Sequence, residues 1–275
     1  MRRSNILNKP AVWASWLAGL VIVLLPFHAF LTVWLSSLLG HYTLLRLWKE
    51  LLLVPIVLAA LYLLLKDTAL RKKLFCLWLA RLIFIYSLLL LICALVALAR
   101  HHVSTKAMWY GLLVDLRYLV FFLAVLVLAA KSDLLSKNWQ KILLVPAILV
   151  AAFAILQFLI LPYDFLKHFG YGDSTIPPYE TINHNIQHIR VESTLRGANP
   201  LGAYLVVPIC AVSVLFFRDK RQRANLAMLG LGLILALAFS FSRSAWIGAA
   251  SGILIAAWLS FKSERIRKNI GCSIC

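Results

Sequence analysis

Long apolar runs separated by short basic clusters constrain the fold of this chain more than any other feature of its sequence. Each run approaches or exceeds the roughly 20 apolar residues that an α-helix needs to cross the hydrocarbon of a bilayer. Charged residues make up 14% of the chain and hydrophobic residues 63%, whereas an average soluble domain carries about 25% charged residues. The sequence therefore predicts an all-α, polytopic transmembrane helical bundle and excludes a soluble domain.

The pattern predicts about eight spans. They lie near 11–30, 44–65, 74–99, 110–130, 142–161, 199–217, 224–241 and 244–261. The predicted organisation is a five-span membrane region (1–161), a loop (162–198), a second membrane region (199–262) and a basic tail (263–275).

The Lys and Arg residues between the spans predict the orientation. About twice as many fall at the N-terminus and in alternate connections as on the other side. The positive-inside rule then puts both termini in the cytoplasm and the 162–198 loop outside it. The net charge of +18 is explained by these topology signals and by contacts with anionic membrane lipids, so we do not expect nucleic-acid binding.

The most informative polar stretch runs from Arg190 to Tyr204. Asn199-Pro200 predicts a helix start there, because Asn can cap free amides and Pro fits the first helical turn. Arg190, Glu192 and Arg196 lie just before this start. The predicted topology places all three on the outer side of the membrane.

A second polar stretch interrupts an apolar run with a single charge, Arg243. An arginine at the bilayer centre costs at least about 2.5–3.5 kcal/mol on insertion scales. Arg243 is therefore expected either in a tight outer turn or beside a partner within the membrane. Ser244, Gly248 and Gly252 follow at four-residue intervals, a small-residue spacing that lets two membrane helices approach closely.

These arginines are candidate ligands for a diphosphate. A guanidinium is permanently charged and can direct two parallel N–H groups at phosphate oxygens. Arg190 and Arg243 are the principal candidates, and Arg196 is the weakest of the three. The alternative is that all of them are interfacial arginines whose side chains only anchor helix ends.

Two motifs together carry a family resemblance over residues 190–250: Arg190-x-x-Ser-Thr-x5-Pro-Leu-Gly-x-Tyr and the later Ser-Arg-Ser-Ala-Trp. They resemble the O-antigen ligase and polymerase superfamily of bacterial membrane glycosyltransferases. The pattern of that family is roughly Arg-x-x-Gly-Thr, a Pro/Asn-Leu-Gly segment and a Ser-Arg-Gly/Ser turn. Outside this stretch the likeness is limited to being polytopic.

The resemblance implies a donor, an acceptor and a location. The donor is an undecaprenyl-diphosphate-linked glycan, held through its diphosphate by Arg190 and Arg243 at the periplasmic face of the inner membrane. Ligases transfer the glycan to lipid A-core oligosaccharide in lipopolysaccharide biosynthesis, and polymerases transfer it to a growing glycan. No metal and no cofactor are implied, because the arginines supply the positive charge.

The chain departs from the family in its length. Family members have further spans and a large periplasmic loop, whose His is thought to act on the acceptor hydroxyl. We therefore expect a C-terminally truncated member, a fragment without that catalytic residue. The local substitutes for acid–base or polar support are Glu192, His184 and His188. Glu192 is favoured as an ion-pair partner of Arg190, and the two histidines have the i, i+4 spacing of one helix face but lack a third metal ligand.

Competing functions remain at this level. The leading hypothesis is an O-antigen ligase-like glycosyltransferase that is incomplete in this chain, so that its enzymatic activity is left open. A polysaccharide polymerase of the same superfamily shares its donor motifs and is the alternative. A membrane transporter or flippase is disfavoured by the few intramembrane charges and by the lack of paired broken helices. A non-catalytic remnant is the last alternative.

Overall fold

The structure is a computed structural model that describes the backbone of residues 2–182 and 185–272, with the side chains of 9–182, 185 and 189–261. The described chain is mostly helical. Its α-helices are α1 (Arg2–Leu24), α2 (His28–Leu39), α3 (Tyr42–Leu45), α4 (Trp48–Lys66), α5 (Thr68–Cys76), α6 (Trp78–Ala99), α7 (Thr105–Ala129), α8 (Leu134–Leu159), α9 (Ala198–Arg218), α10 (Arg223–Phe239) and α11 (Arg243–Cys272). Short 3₁₀ helices span Leu25–Phe27 and Phe165–Phe169, and β1 (Glu180–Ile182) pairs antiparallel with β2 (Asn185–Arg190).

Within the described residues, seven helical stretches are long and apolar enough to cross a membrane. They are Lys9–Leu39, Tyr42–Lys66, Trp78–Ala99, Thr105–Ala129, Leu134–Leu159, Ala198–Arg218 and Arg243–Phe261. The predicted span 224–241 corresponds to α10, an apolar helix of 17 residues. The predicted all-α, polytopic class is confirmed, and the chain is a multi-pass membrane protein.

The chain forms two compact units. The first comprises the chain up to Val21 together with Leu47–Trp139, and the second comprises Ile22–Arg46 and the chain from Gln140 onward. In the first unit α4 packs on α7 and α6 packs on α7, yet no residue of α6 is buried. Two ion pairs tie its segments together, between Arg117 and Glu50 and between Lys131 and Asp67.

The core of the second unit is built around α9. This helix packs against both α10 and α11 and buries Leu201, Leu205 and Ile209 almost completely. The buried side chains of α8 and α10 complete one continuous apolar cluster. The second unit therefore holds the N-terminal ends of α9 and α11 beside each other.

Glycines set the distance between α9 and α11. A Cβ on Gly202 would lie 2.6 Å from the Cβ of Ser242, and one on Gly252 would lie 2.2 Å from the Sγ of Cys210. Both distances are shorter than real Cβ contacts, so a side chain at either position would force its neighbour on the facing segment to move. Gly248 is less tight, because its nearest neighbour, a methyl of Val206, would lie 3.7 Å away.

The connection between α8 and α9 is packed onto the second unit. Leu166, Tyr171 and Ile176 are buried against Val33 of α2. Gly170 has a φ of +89°, and a Cβ there would lie 2.6 Å from the Cβ of Ser37. The connection is therefore anchored against α2 before it enters the β1–β2 hairpin.

Candidate functional site

The residues that follow Arg190 fix its position in the second unit. The Oγ of Ser193 donates to the carbonyl of Val150 in α8 (2.8 Å), and its N–H donates to the Oε1 of Gln157 (2.9 Å). The Oγ1 of Thr194 donates to the carbonyl of Pro26 (3.0 Å). All three contacts are buried, so this short segment joins the first span and α8 at the point where the chain enters α9.

Every nitrogen of the Arg190 guanidinium donates a hydrogen bond within the protein. Nε donates to the carbonyl of Ser240 (3.2 Å), Nη1 to Oε2 of Glu180 (3.2 Å) and Nη2 to Oδ1 of Asn199 (2.6 Å). The fork is thus held between the end of α10, the hairpin and the first turn of α9. Its side chain keeps 17% of its surface exposed.

Arg243 directly follows a tight turn, which is one of the two positions that the sequence predicts for it. Helix α10 ends at Phe239 and α11 begins at Arg243, so only three residues connect them. Phe241 adopts a left-handed conformation with a φ of +51°, which is costly for a residue other than glycine. The indole N–H of Trp246 donates to the carbonyl of Leu237 (3.0 Å) and closes the turn.

One cavity of about 640 Å³ brings the two arginines together. We call it the arginine cavity; it is lined by Thr181, Ile182, Arg190, Asn199, Phe241, Arg243, Ser244 and Trp246. Its size falls within the roughly 300–1,000 Å³ typical of ligand sites. The hairpin, the start of α9 and the α10–α11 turn all contribute to its wall.

The electrostatics of the arginine cavity favour an anion. Two helices, α9 and α11, begin at its wall, and the free N–H groups of a helix start carry partial positive charge. Arg190 is paired with Glu180, whereas Arg243 is exposed and has no ion-pair partner within the described residues. An uncompensated arginine next to two helix starts is an arrangement suited to phosphate oxygens.

Two further concave surfaces adjoin the arginine cavity. A cavity of about 350 Å³, which includes Gln157 and Tyr163, shares Arg190 and Phe241 with it. An apolar groove of about 340 Å³ runs along α10 and α11 from Trp246, which also lines the arginine cavity. The arginine cavity and the apolar groove therefore meet at the side chain of Trp246.

The remaining predicted charged residues lie outside the arginine cavity. Arg196 is exposed and lines neither cavity. Glu192 is only 1% exposed, and its Oε1 has no hydrogen-bond partner. The prediction that Glu192 pairs with Arg190 is wrong: the partner is Glu180, because Glu192 faces the interior and β1 lies beside Arg190.

Burial gives Glu192 an unusual ionisation. Desolvation raises the pKa of its carboxyl to about 8, and the negative charge of Glu180 adds to the effect. Burial, followed by the negative charge of the nearby Glu192, raises the pKa of the Tyr171 hydroxyl. Glu192 is therefore an interior acid beside the site rather than a group that lines it.

Two other predictions concern the histidines of the hairpin and the start of α9. Residues 185–190 form a strand rather than a helix. His184 and the side chain of His188, whose spacing predicts one helix face, lie outside the described residues. Asn199 does not cap α9, whose N-cap is Gly197. Its Oδ1 accepts from Arg190 instead.

The predicted packing residues divide between two roles. Gly248 and Gly252 face α9, next to Val206 and Cys210, whereas Ser244 is exposed and lines the arginine cavity. No cluster of three His, Cys, Asp or Glu side chains that could hold a metal ion occurs among the described residues.

Sequence reasoning missed Glu180, Phe241 and Trp246 as neighbours of the two arginines. Glu180 reaches Arg190 only through the hairpin register, which pairs the two residues directly. The β-branched residues of the hairpin, Thr181, Ile182 and Ile189, were the available signal for strands. Trp246 is visible in the sequence as the last residue of the Ser-Arg-Ser-Ala-Trp motif.

Comparisons with known proteins add nothing to this geometry, since no family model, no curated protein and no solved structure matches the chain.

Proposed function

We propose that this protein is an O-antigen ligase-like glycosyltransferase of the bacterial inner membrane. It binds an undecaprenyl-diphosphate-linked glycan in the arginine cavity, at the periplasmic face. The observation that carries the proposal is that Arg190 and Arg243, from segments about 50 residues apart, line one cavity of about 640 Å³.

Backbone geometry supports the family resemblance at one position where this chain departs from the pattern. Ser193 stands where the family has glycine, and its φ is +53°. Glycine adopts that conformation without strain, whereas serine does so at a cost. The segment thus keeps the backbone shape that a glycine would favour.

The apolar groove supports a lipid-linked donor over a soluble one. It begins at Trp246, at the wall of the arginine cavity, and continues between α10 and α11 past Leu237 and Ala249. A polyprenyl chain is apolar along its whole length and attaches directly to the diphosphate. One ligand of this class would fill both surfaces, the diphosphate on the arginines and the chain in the groove.

In the proposed reaction, an acceptor hydroxyl oxygen bonds to the anomeric carbon of the glycan. The bond from that carbon to the diphosphate oxygen breaks, and the hydroxyl proton passes to a base. Arg190 and Arg243 stabilise the negative charge that develops on the leaving diphosphate. The acceptor is lipid A-core for a ligase and a growing glycan for a polymerase, which would use the same donor contacts.

Binding of undecaprenyl diphosphate to the purified protein in nanodiscs tests the proposal. A charge-assisted hydrogen bond contributes about 1.5–3 kcal/mol, so Arg190→Ala and Arg243→Ala should each weaken binding about tenfold or more. Arg243→Lys should recover only part of the affinity, because an ammonium keeps the charge but loses the fork.

Arg196→Ala is the matched control. It removes the same charge from an exposed arginine of the same segment that lines neither cavity, so its effect should be small. Equal and small effects at all three arginines would mean that they anchor helices, and the proposal would fail.

A further inference from the structure

The Arg190 guanidinium already holds an anion, and that anion belongs to the protein. The Oε2 of Glu180 accepts from Nη1 at 3.2 Å, the distance and geometry at which a phosphate oxygen would accept. The pair is formed across the hairpin, where Glu180 and Arg190 are register partners.

The other carboxylate oxygen of Glu180 occupies the start of α9. Its Oε1 lies so close to Gly197, the N-cap residue, that a Cβ there would be only 2.4 Å away. Gly197 itself has no side chain that could cap this helix start. The carboxylate of Glu180 therefore sits between a guanidinium and a helix N-terminus, two features that each favour an anion.

We infer that Glu180 is a built-in competitor for the diphosphate, so that the donor binds Arg190 by displacing the Glu180 carboxylate. This inference rests on the proposed function and identifies a residue that sets the affinity of the same site. Nη1 carries two N–H groups, so the competition is electrostatic: a carboxylate and a diphosphate held by the same guanidinium repel each other.

Glu180 is the partner of Arg190 best suited to leave. The Nε contact is to a backbone carbonyl at the end of α10, and the Asn199 contact is to the first turn of α9. Glu180 instead lies on a three-residue strand whose register shifts between Thr181 and Ile182, and 36% of its side chain is exposed. Its rotation away from Arg190 would open the hairpin side of the arginine cavity.

Displacement of Glu180 would make the site selective among anionic ligands. A ligand with one weak charge would gain little by displacing an ion pair, whereas a diphosphate also gains Arg243, which has no ion-pair partner among the described residues. Glu180 thus favours ligands that span both arginines over ligands that contact Arg190 alone.

The test measures undecaprenyl diphosphate binding in nanodiscs for Glu180→Gln and Glu180→Asp. Glu180→Gln should tighten binding about fivefold, the scale of a partly exposed ion pair. Glu180→Asp keeps the charge but falls one methylene short of Arg190, so it should tighten binding by less than Glu180→Gln does. In the Arg190→Ala background the gain from Glu180→Gln should vanish.

Asp133→Asn is the matched control, since it removes one exposed carboxylate paired with a lysine in the first unit and should leave binding unchanged. Thermal unfolding of each variant confirms that the fold is retained, and Glu180→Ser serves if Glu180→Gln does not fold. Unchanged or weaker binding in Glu180→Gln, while Arg190→Ala still loses affinity, would overturn this inference and leave the proposed function standing. Loss of the Arg190 effect itself would overturn both.

Discussion

The two units of this protein use their charges differently. In the first unit, Arg117 pairs with Glu50 and Lys131 pairs with Asp67, so these cations are neutralised inside the protein. In the second unit, Arg243 stands exposed at a cavity without such a partner within the described residues. Arg117 and Lys131 thus hold helices together, whereas Arg243 is available for a ligand.

The same contrast applies to the acids. Asp67 accepts hydrogen bonds from Lys131 and from the backbone N–H of Leu70. Glu192 is buried, and its Oε1 has no hydrogen-bond partner among the described residues. The first acid is stabilised in its charged form and the second in its neutral form.

The sharpest way to test this contrast is the dependence of stability on pH, where the two acids have opposite signs. Burial raises the pKa of Glu192 from 4.5 to about 8, so its contribution is fully present below pH 4.5 and is lost as the pH rises to about 8. The expected loss is on the order of a few kcal/mol. Thermal unfolding in detergent should show it, and Glu192→Gln should remove it.

The stability contribution of Asp67 depends on pH in the opposite direction. The hydrogen bond from Lys131, followed by the one from Leu70, holds the pKa of Asp67 below its ordinary 3.8. Its contribution is present above pH 3.8 and is lost as the pH falls through the lowered value. Asp67→Asn should abolish this loss of stability in acid. If Asp67→Asn and Glu192→Gln both gave the pH profile of the unchanged protein, the contrast between the two acids would be contradicted.

The next largest effect concerns the paired and unpaired arginines. Arg117→Ala strands the Glu50 carboxylate, whose side chain is about one-quarter exposed, and should destabilise the fold by about 2 kcal/mol, less than for a fully buried pair. Arg243→Ala removes no ion pair and should leave the unfolding temperature nearly unchanged. Equal losses of stability for the two variants would show that Arg243 is a structural residue too.

A smaller effect separates two glycines of α11. Gly252→Ala forces a Cβ to within 2.2 Å of the Sγ of Cys210, whereas Gly248→Ala finds its nearest neighbour at 3.7 Å. Overpacking of this kind costs about 1–3 kcal/mol, so only Gly252→Ala should lower the unfolding temperature. A tolerated Gly252→Ala would mean that the Sγ of Cys210 rotates away at little cost, and the expected difference between the two glycines would be contradicted.

The spans were predictable from the sequence because they depend on local composition. Runs of about 20 apolar residues identify a membrane helix without knowledge of its neighbours, and the turn before Arg243 follows from one charge in such a run. The 17-residue α10 is the one predicted span that falls short of this length.

The partners in the site were not predictable, because they depend on contacts between distant segments. Neighbouring positions suggested that Glu192 would pair with Arg190, but only the hairpin register shows that Glu180 does so. Asparagine is a residue type that often caps helices, yet the Oδ1 of Asn199 accepts from the guanidinium of Arg190 instead. Sequence therefore identified the two arginines and could not identify what holds one of them.

The most direct test of the central claim labels the arginine cavity from outside the cell. Ser244 is exposed and lines this cavity, so Ser244→Cys in spheroplasts should react with a membrane-impermeant maleimide, and undecaprenyl diphosphate should slow the reaction. Ser136→Cys, at an exposed serine of the predicted cytoplasmic connection, should react only after permeabilisation. Protection of Ser244→Cys should disappear when Arg243→Ala is added. Labelling of Ser244→Cys only after permeabilisation, or labelling that the lipid does not slow, would contradict a periplasmic diphosphate site.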